Sequence, residues 1–477
     1  MTALAAVLFA ATFTRQLERV TTLDPAMSRT AYDSRAVRLV YEPLLMVDYE
    51  ARPYRLVPGY CDLPEISADA LTYRFRALHG PAKDAVASLE RLRDPALVSP
   101  NSWIMGDVET VRAVGETVEI RLKRPIRYFP WLMSMPAAAV VGADGDGTGP
   151  YRLKSWRRNH EMTFERRTPE PGGFDIVRYL VVDDASTQWL MFMNGELDMI
   201  GDVSRDCWDA IIRPDGGLDE SLKARGIVLH SSPTMDVMYL GINMRDPVLG
   251  TNRKLRQALN AAFDFPAWEK FYNHRIVESD GPVPHGVEGR LETPFPYRFD
   301  LEKAKRLMRE AGYPDGIDPK TGRRLVLTLT IGRANQDSRE SGELMVAFFD
   351  RIGVKLELEF KTWDAYLRAI NEGRVQMYRM GWVGDYPDAQ NFLQLFYSPN
   401  ASPGVNHSNY SNPEYDAAYE RGDYRRCQEI VREDCPWVFT HFNMSNTLVN
   451  RRVGNYRPSD FPHGGESHYR VLETERQ

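Results

Sequence analysis

Between residues 325 and 382 five segments follow one another without a break: a strand pattern at 325–330, a helix at 338–351, a strand at 354–360, a helix at 364–371 and a strand at 375–382. A chain that alternates in this way has few folds open to it, because neighbouring parallel strands need a long crossover and a helix is the usual one. The run predicts an α/β architecture with a mostly parallel sheet and helices on both faces. In such a layer functional groups collect at the carboxyl ends of the strands. Trp363 and the stretch Met380-Gly381-Trp382-Val383-Gly384-Asp385-Tyr386-Pro387-Asp388 both fall there.

That stretch brings an indole and a carboxylate to one strand end. A cation held there has an aromatic face to lie against and an anion to neutralise it. Gly-Asp-Tyr-Pro-Asp is also an ordinary turn sequence, and local chemistry by itself favours the turn.

The rest of the chain reads in the same grammar. Residues 175–200 give strand, helix, strand, with Gly195 suited to the helix end. A helical stretch from Ser34 carries Val37, Val40, Tyr41 and Leu44 on one face. Strand patterns at 71–75 and 117–122 around a helix at 84–92 read as a small inserted α/β module. An apolar strand at 237–244 precedes a helix capped by Asn252, and Asp300 opens another that stops at Gly312.

Length and charge narrow the function. A chain of 477 residues holds two or three domains. Its net charge of -6 is spread along the chain, which excludes an electrostatic footprint for nucleic acid. No window approaches the apolar length of a membrane span. Residues 1–11 resemble the apolar centre and cleavage end of an export signal, without the basic start; the alternative is a first strand beginning near Ala11. No cysteine follows a small-residue box there, so a lipid anchor is not indicated. Cys61, Cys207, Cys427 and Cys435 form no CxxC, and the scattered histidines give no metal set. The loop at 142–151 lacks both the twelfth-position Glu of a calcium loop and the Gly-Lys ending of a phosphate loop, which leaves a plain crossover loop.

Several short pieces, in order, carry a resemblance: Thr22-Leu23-Asp24-Pro25, Tyr41-Glu42-Pro43-Leu44-Leu45, Leu56-Val57-Pro58-Gly59, Gly147-Thr148-Gly149-Pro150-Tyr151, Asn194-Gly195-Glu196-Leu197-Asp198, Arg253-Lys254-Leu255-Arg256-Gln257-Ala258-Leu259, and Gly381-Trp382 through Phe392. Asn406, the run Tyr410 to Asp416, and Asp434-Cys435-Pro436 follow. On these the chain resembles the extracytoplasmic solute-binding proteins of ABC importers, in the dipeptide- and oligopeptide-binding family (family 5).

The resemblance implies a two-lobed, hinged, type II-like periplasmic binding protein fold with an extra α/β subdomain inserted in the first lobe. Residues 1–44 and 141–242 would form lobe 1, 45–140 the insertion, 243–440 lobe 2 with the ligand anchor, and 441–477 the return to lobe 1. Gly241, Ile242 and Asn243 would be the hinge. Asp385 matches the residue that binds a ligand α-ammonium, Trp382 walls a side-chain pocket, and Trp363 corresponds to the tryptophan heading the preceding helix. Arg379 matches a position facing ligand carboxylates, Gly381 and Val383 offer main-chain groups to an extended peptide, and Tyr386 completes the ligand-binding set. The implied activity is capture of a di- or oligopeptide, or another small amine-bearing ligand, and its delivery to a permease. The expected receptor is a periplasmic or otherwise extracytoplasmic monomer that meets the membrane only through the permease, without cofactor, metal or catalysis. Nickel complexes, haem, opines and sugars stay open as ligands, and a hydrolase using Asp385 with Asp388 as paired carboxylates is the rival of a different class.

Overall fold

The protein is described by a computed structural model over residues 10–17, 19–201, 207–208, 211–213, 217–458 and 465–472. Residues 1–9, most of the stretch that resembles an export signal, lie outside this range. Among the described residues no helix is long and apolar enough to cross a membrane. The chain divides into two compact units, one made of Met1–Ser232 with Ser445–Gln477 and the other of Pro233–Met444.

In the first unit Thr12–Gln16 lies between Ile176–Leu180 and Met199–Ile200, parallel to both. The helix Ala185–Met193 makes the crossover, and Gly195 adopts φ +77° just past its end. Glu161–Arg166 and Tyr151–Arg157 extend the sheet antiparallel. Phe13, Tyr151, Phe164, Val177 and Tyr179 form the core beneath it.

The helix expected from Ser34 runs Ala31–Val40. Its start is set by a capping box in which Thr30 accepts from the Asp33 N–H and the Asp33 carboxylate accepts from the Thr30 N–H. Tyr41 and Leu44 fall beyond its end. Pro43 disfavours helical backbone before it, and the Val40 carbonyl is taken by the Gly149 N–H at 2.9 Å. That approach requires glycine, since a Cβ on Gly149 would lie 2.7 Å from the same oxygen.

Within residues 45–140 a separate antiparallel sheet orders Glu65–Ile66, Thr72–Arg76, Thr117–Leu122 and Val108–Val114, accompanied by the helix Ala82–Arg93. Near the end of the chain Glu466 is 1% exposed and bridges Arg15 at 3.3 Å and Arg35 at 3.0 Å.

The second unit corrects the expectation of a mostly parallel sheet. Val326–Ile331 is parallel to Lys355–Phe360 and to Met377–Val383. Asp236–Ile242 is antiparallel both to Met377–Val383 and to Trp437–Asn450. The reason is topological: Asp236–Ile242 brings the chain in and Trp437–Asn450 takes it out, so adjacent strands with their outer ends together must run in opposite directions. Thr234 N donates to Asn443 O at 2.9 Å where they meet. Asn252 and Asp300 cap Arg253–Ala262 and Leu301–Glu310 as the sequence predicts.

The crossings between units fall at 232/233 and 444/445, not at the expected 242/243 and 440/441. Gly241 and Ile242 end a strand paired with Met377–Val383 inside the second unit. Gly241 is there because its neighbour is large: a Cβ would sit 2.1 Å from the Tyr378 ring. Asn243 donates to the carbonyls of Gly373 and Val375, both at 3.0 Å. These three residues fasten one end of the sheet and are not where the chain passes between units.

Candidate functional site

Met377–Val383 pairs with Asp236–Ile242 along its whole length but with Val326–Ile331 only at Met377 and Tyr378. Gly384 N donates to Met235 O at 2.7 Å and Asn243 N to Gln376 O at 3.0 Å, so even-numbered residues bond to the Asp236–Ile242 side. Antiparallel alternation then turns the main-chain groups of Arg379, Gly381 and Val383 to the opposite edge. There the Tyr366 hydroxyl donates to Arg379 O. Val383 is 68% exposed. Gly381 has no side chain to block the strand, and a Cβ would lie 2.2 Å from Met238 Sδ.

Past the strand, Asp388 caps the short helix Ala389–Leu393, accepting from Gln390 N at 2.8 Å. This helix carries Asn391, which has no exposed surface. Asn391 Oδ1 accepts from Trp382 Nε1 at 2.9 Å and from Asp385 N at 3.1 Å. Its Nδ2 donates to Asp385 Oδ2 at 3.1 Å. The indole and the carboxylate are thus tied to one buried amide. Asp385 is half-buried, and among the described residues no Lys, Arg or His pairs with it. Burial raises its carboxyl above the ordinary value, and the Asn391 hydrogen bond pulls partly back.

Arg379 belongs to a second cluster. Its Nη1 donates to Ser341 Oγ at 2.7 Å, its Nη2 to Tyr272 Oη at 2.8 Å, and the guanidinium lies 5.7 Å from the Trp268 ring centre. Among the described residues no carboxylate forms an ion pair with it. Below it Trp268 Nε1 donates to Nδ1 of His441, which is 2% exposed. Burial first, and the charge of Arg379 second, push the His441 imidazole down to about 3.

This fixes a pH dependence. The unfolded chain binds the proton near the ordinary value of 6.5 and the folded chain only near 3, so the stability from neutral His441 is complete above 6.5 and is lost as pH falls through that window. We expect His441→Gln to flatten the acid limb of a urea-unfolding series by up to about 1.4 kcal/mol per pH unit. Identical limbs in both proteins would show that His441 is not the group responsible.

Of the residues singled out from sequence, Trp382 and Asp385 are brought together and Arg379 stands with partners from other elements. Trp363 is 53% exposed, with its ring 5.5 Å from that of Tyr366. Tyr386 is a correction: it is 2% exposed and its hydroxyl donates to Gln390 Oε1 at 2.5 Å, so it supports the turn from inside the core. Asp388 serves as a helix cap, a role that does not call for a second acid beside Asp385. Sequence reasoning missed Asn391, Ser341 and Tyr272. Asn391 alone left a trace, as one of two adjacent polar residues, with Gln390, on a short helix otherwise made of Ala389, Phe392 and Leu393.

Residues 81–404 match the family model described as bacterial extracellular solute-binding proteins, family 5 middle. The chain is similar to heme-binding protein A of Haemophilus influenzae, at 27% identity over 87% of this chain and 84% of that protein. It is similar to the glutathione-binding protein GsiB of Shigella flexneri, at 25% identity over 88% and 86%. Among solved structures, HbpA2 from Haemophilus parasuis superposes with a TM-score of 0.84 at 23% identity, covering 97% of this chain and 100% of that one. DppA from Helicobacter pylori in complex with the peptide STSA gives 0.72 at 22% identity, covering 97% and 98%. These structural likenesses show the fold. With more than half of its length matched, the chain belongs to the bacterial extracellular solute-binding proteins of family 5, the solute receptors of ABC importers.

Proposed function

We propose that the protein captures a di- or oligopeptide with a free amino terminus and delivers it to an ABC importer permease. It does so as a monomer, in the periplasm or otherwise outside the cytoplasm. The observation that carries this reading is the half-buried carboxylate of Asp385, which has no cation partner among the described residues. An unpaired buried charge is costly, and a ligand ammonium removes that cost. Trp382 beside it offers a ring face to the same cation. The outward main-chain groups of Gly381 and Val383 suit an extended peptide laid along the strand edge. A guanidinium has five N–H donors, so beyond those given to Ser341 and Tyr272 Arg379 retains donors for a ligand carboxylate.

The heme-binding relative motivates a second reading. Haem carries carboxylates that Arg379 can meet but no ammonium for Asp385. Mass spectrometry of the small molecules released on denaturing the purified protein separates the two. Peptides with free amino termini are the expected cargo, and haem or a metal complex in their place overturns the proposal.

A further inference from the structure

The orientation of the Asn391 amide is forced by chemistry. An indole N–H only donates, and so does a backbone N–H, so the atom facing Trp382 Nε1 and Asp385 N must be the amide oxygen. The NH₂ group is then necessarily the one aimed at Asp385 Oδ2. Among the described residues no protein donor reaches Asp385 Oδ1. An ammonium needs one such oxygen, whereas a guanidinium is best held by two parallel N–H···O bonds, one to each oxygen.

We infer that Asn391 decides which kind of cation the site accepts: by taking one acceptor position of Oδ2 and fixing the Trp382 ring, it leaves Oδ1 as the oxygen without a protein donor among the described residues, which fits an ammonium and disfavours a guanidinium held across both oxygens. The inference rests on the proposed role of Asp385 and adds to it a residue that acts through Asp385, a positioning residue. A purely structural Asn391 would affect stability without changing the preference between two cations of equal charge.

The test uses a tryptic digest of casein, half left with free amines and half with its amines converted to guanidines, each equilibrated with the cargo-free protein. The ratio of the two forms retained is read by mass spectrometry. The native protein should retain the amine form at least about tenfold over the guanidine form. In Asn391→Leu the ratio should fall to within about twofold of unity. Asn391→Asp keeps the oxygen that accepts from Trp382 and Asp385 but replaces the donor by a second acceptor, so its ratio should move towards the guanidine form. It also carries the test if the leucine variant does not fold. Unchanged ratios in both variants, with Asp385→Asn abolishing retention, overturn the inference and leave Asp385 as the anchor. Equal retention of the two forms by the native protein also overturns it. Undiminished retention in Asp385→Asn, or none by the native protein, overturns the reading of Asp385 itself.

Discussion

Replacing Glu466 by alanine should destabilise the protein by about 3–5 kcal/mol, the range seen when one partner of a buried ion pair is removed. Glu466 is 1% exposed, and the side chains of Arg15 and Arg35 are 14% and 19% exposed. Burial alone would raise the Glu466 carboxyl, but the charges of Arg35 and Arg15 outweigh it and hold the group below the ordinary value. Without the carboxylate, two guanidiniums are left facing the same space with nothing between them. The sign in pH follows: the contribution is complete above the unfolded value and is lost as pH falls through the depressed folded one. Urea unfolding at neutral pH measures the loss. A cost under about 1 kcal/mol, the level of an exposed pair, would mean that Glu466 is not the keystone of this cluster. The triple replacement Glu466→Leu, Arg15→Met and Arg35→Met should recover most of the stability, because removing all the charges leaves none unpaired.

Asp385→Ala should weaken binding of a peptide with a free amino terminus by about 2–5 kcal/mol, as for other truncated buried charge pairs. The empty protein should lose no stability at neutral pH. Burial raises the folded value of this carboxyl, so the empty protein is favoured below the unfolded value and loses that advantage as pH rises through the folded one. Affinity has the opposite dependence. An ammonium needs the charged carboxylate, so binding falls off as pH drops through the raised value. Calorimetric titration with a peptide and its N-acetylated form reads both effects, and equal affinity of the two forms for the native protein would remove Asp385 from the site.

The second unit was legible because its rules are local. Asp300 and Asn252 cap the helices they head, and the strands and helices between Val326 and Val383 follow from periodicity and their bounding glycines. The directions of Asp236–Ile242 and Trp437–Asn450 were not legible, because they depend on two segments some two hundred residues apart meeting at Thr234 and Asn443. The same limit separates the parts of the site. Trp382 and Asp385 lie in one turn and announce themselves, whereas Ser341 and Tyr272 reach Arg379 from distant helical regions and carry no mark in their own neighbourhoods. Tyr386 misled because its place in the turn is indistinguishable in sequence from that of Asp385. Only the geometry sends one side chain inward and leaves the other half open.

Pro233–Met444 is one uninterrupted length of chain with both ends fastened to each other through Thr234 and Asn443. Trp363, Arg379, Trp382, Asp385 and Asn391 all lie within it. For a gene this is a cassette: two joints, side by side in space, bound the whole unit. A family built on such a cassette can exchange that unit by recombination as well as vary it by point substitution.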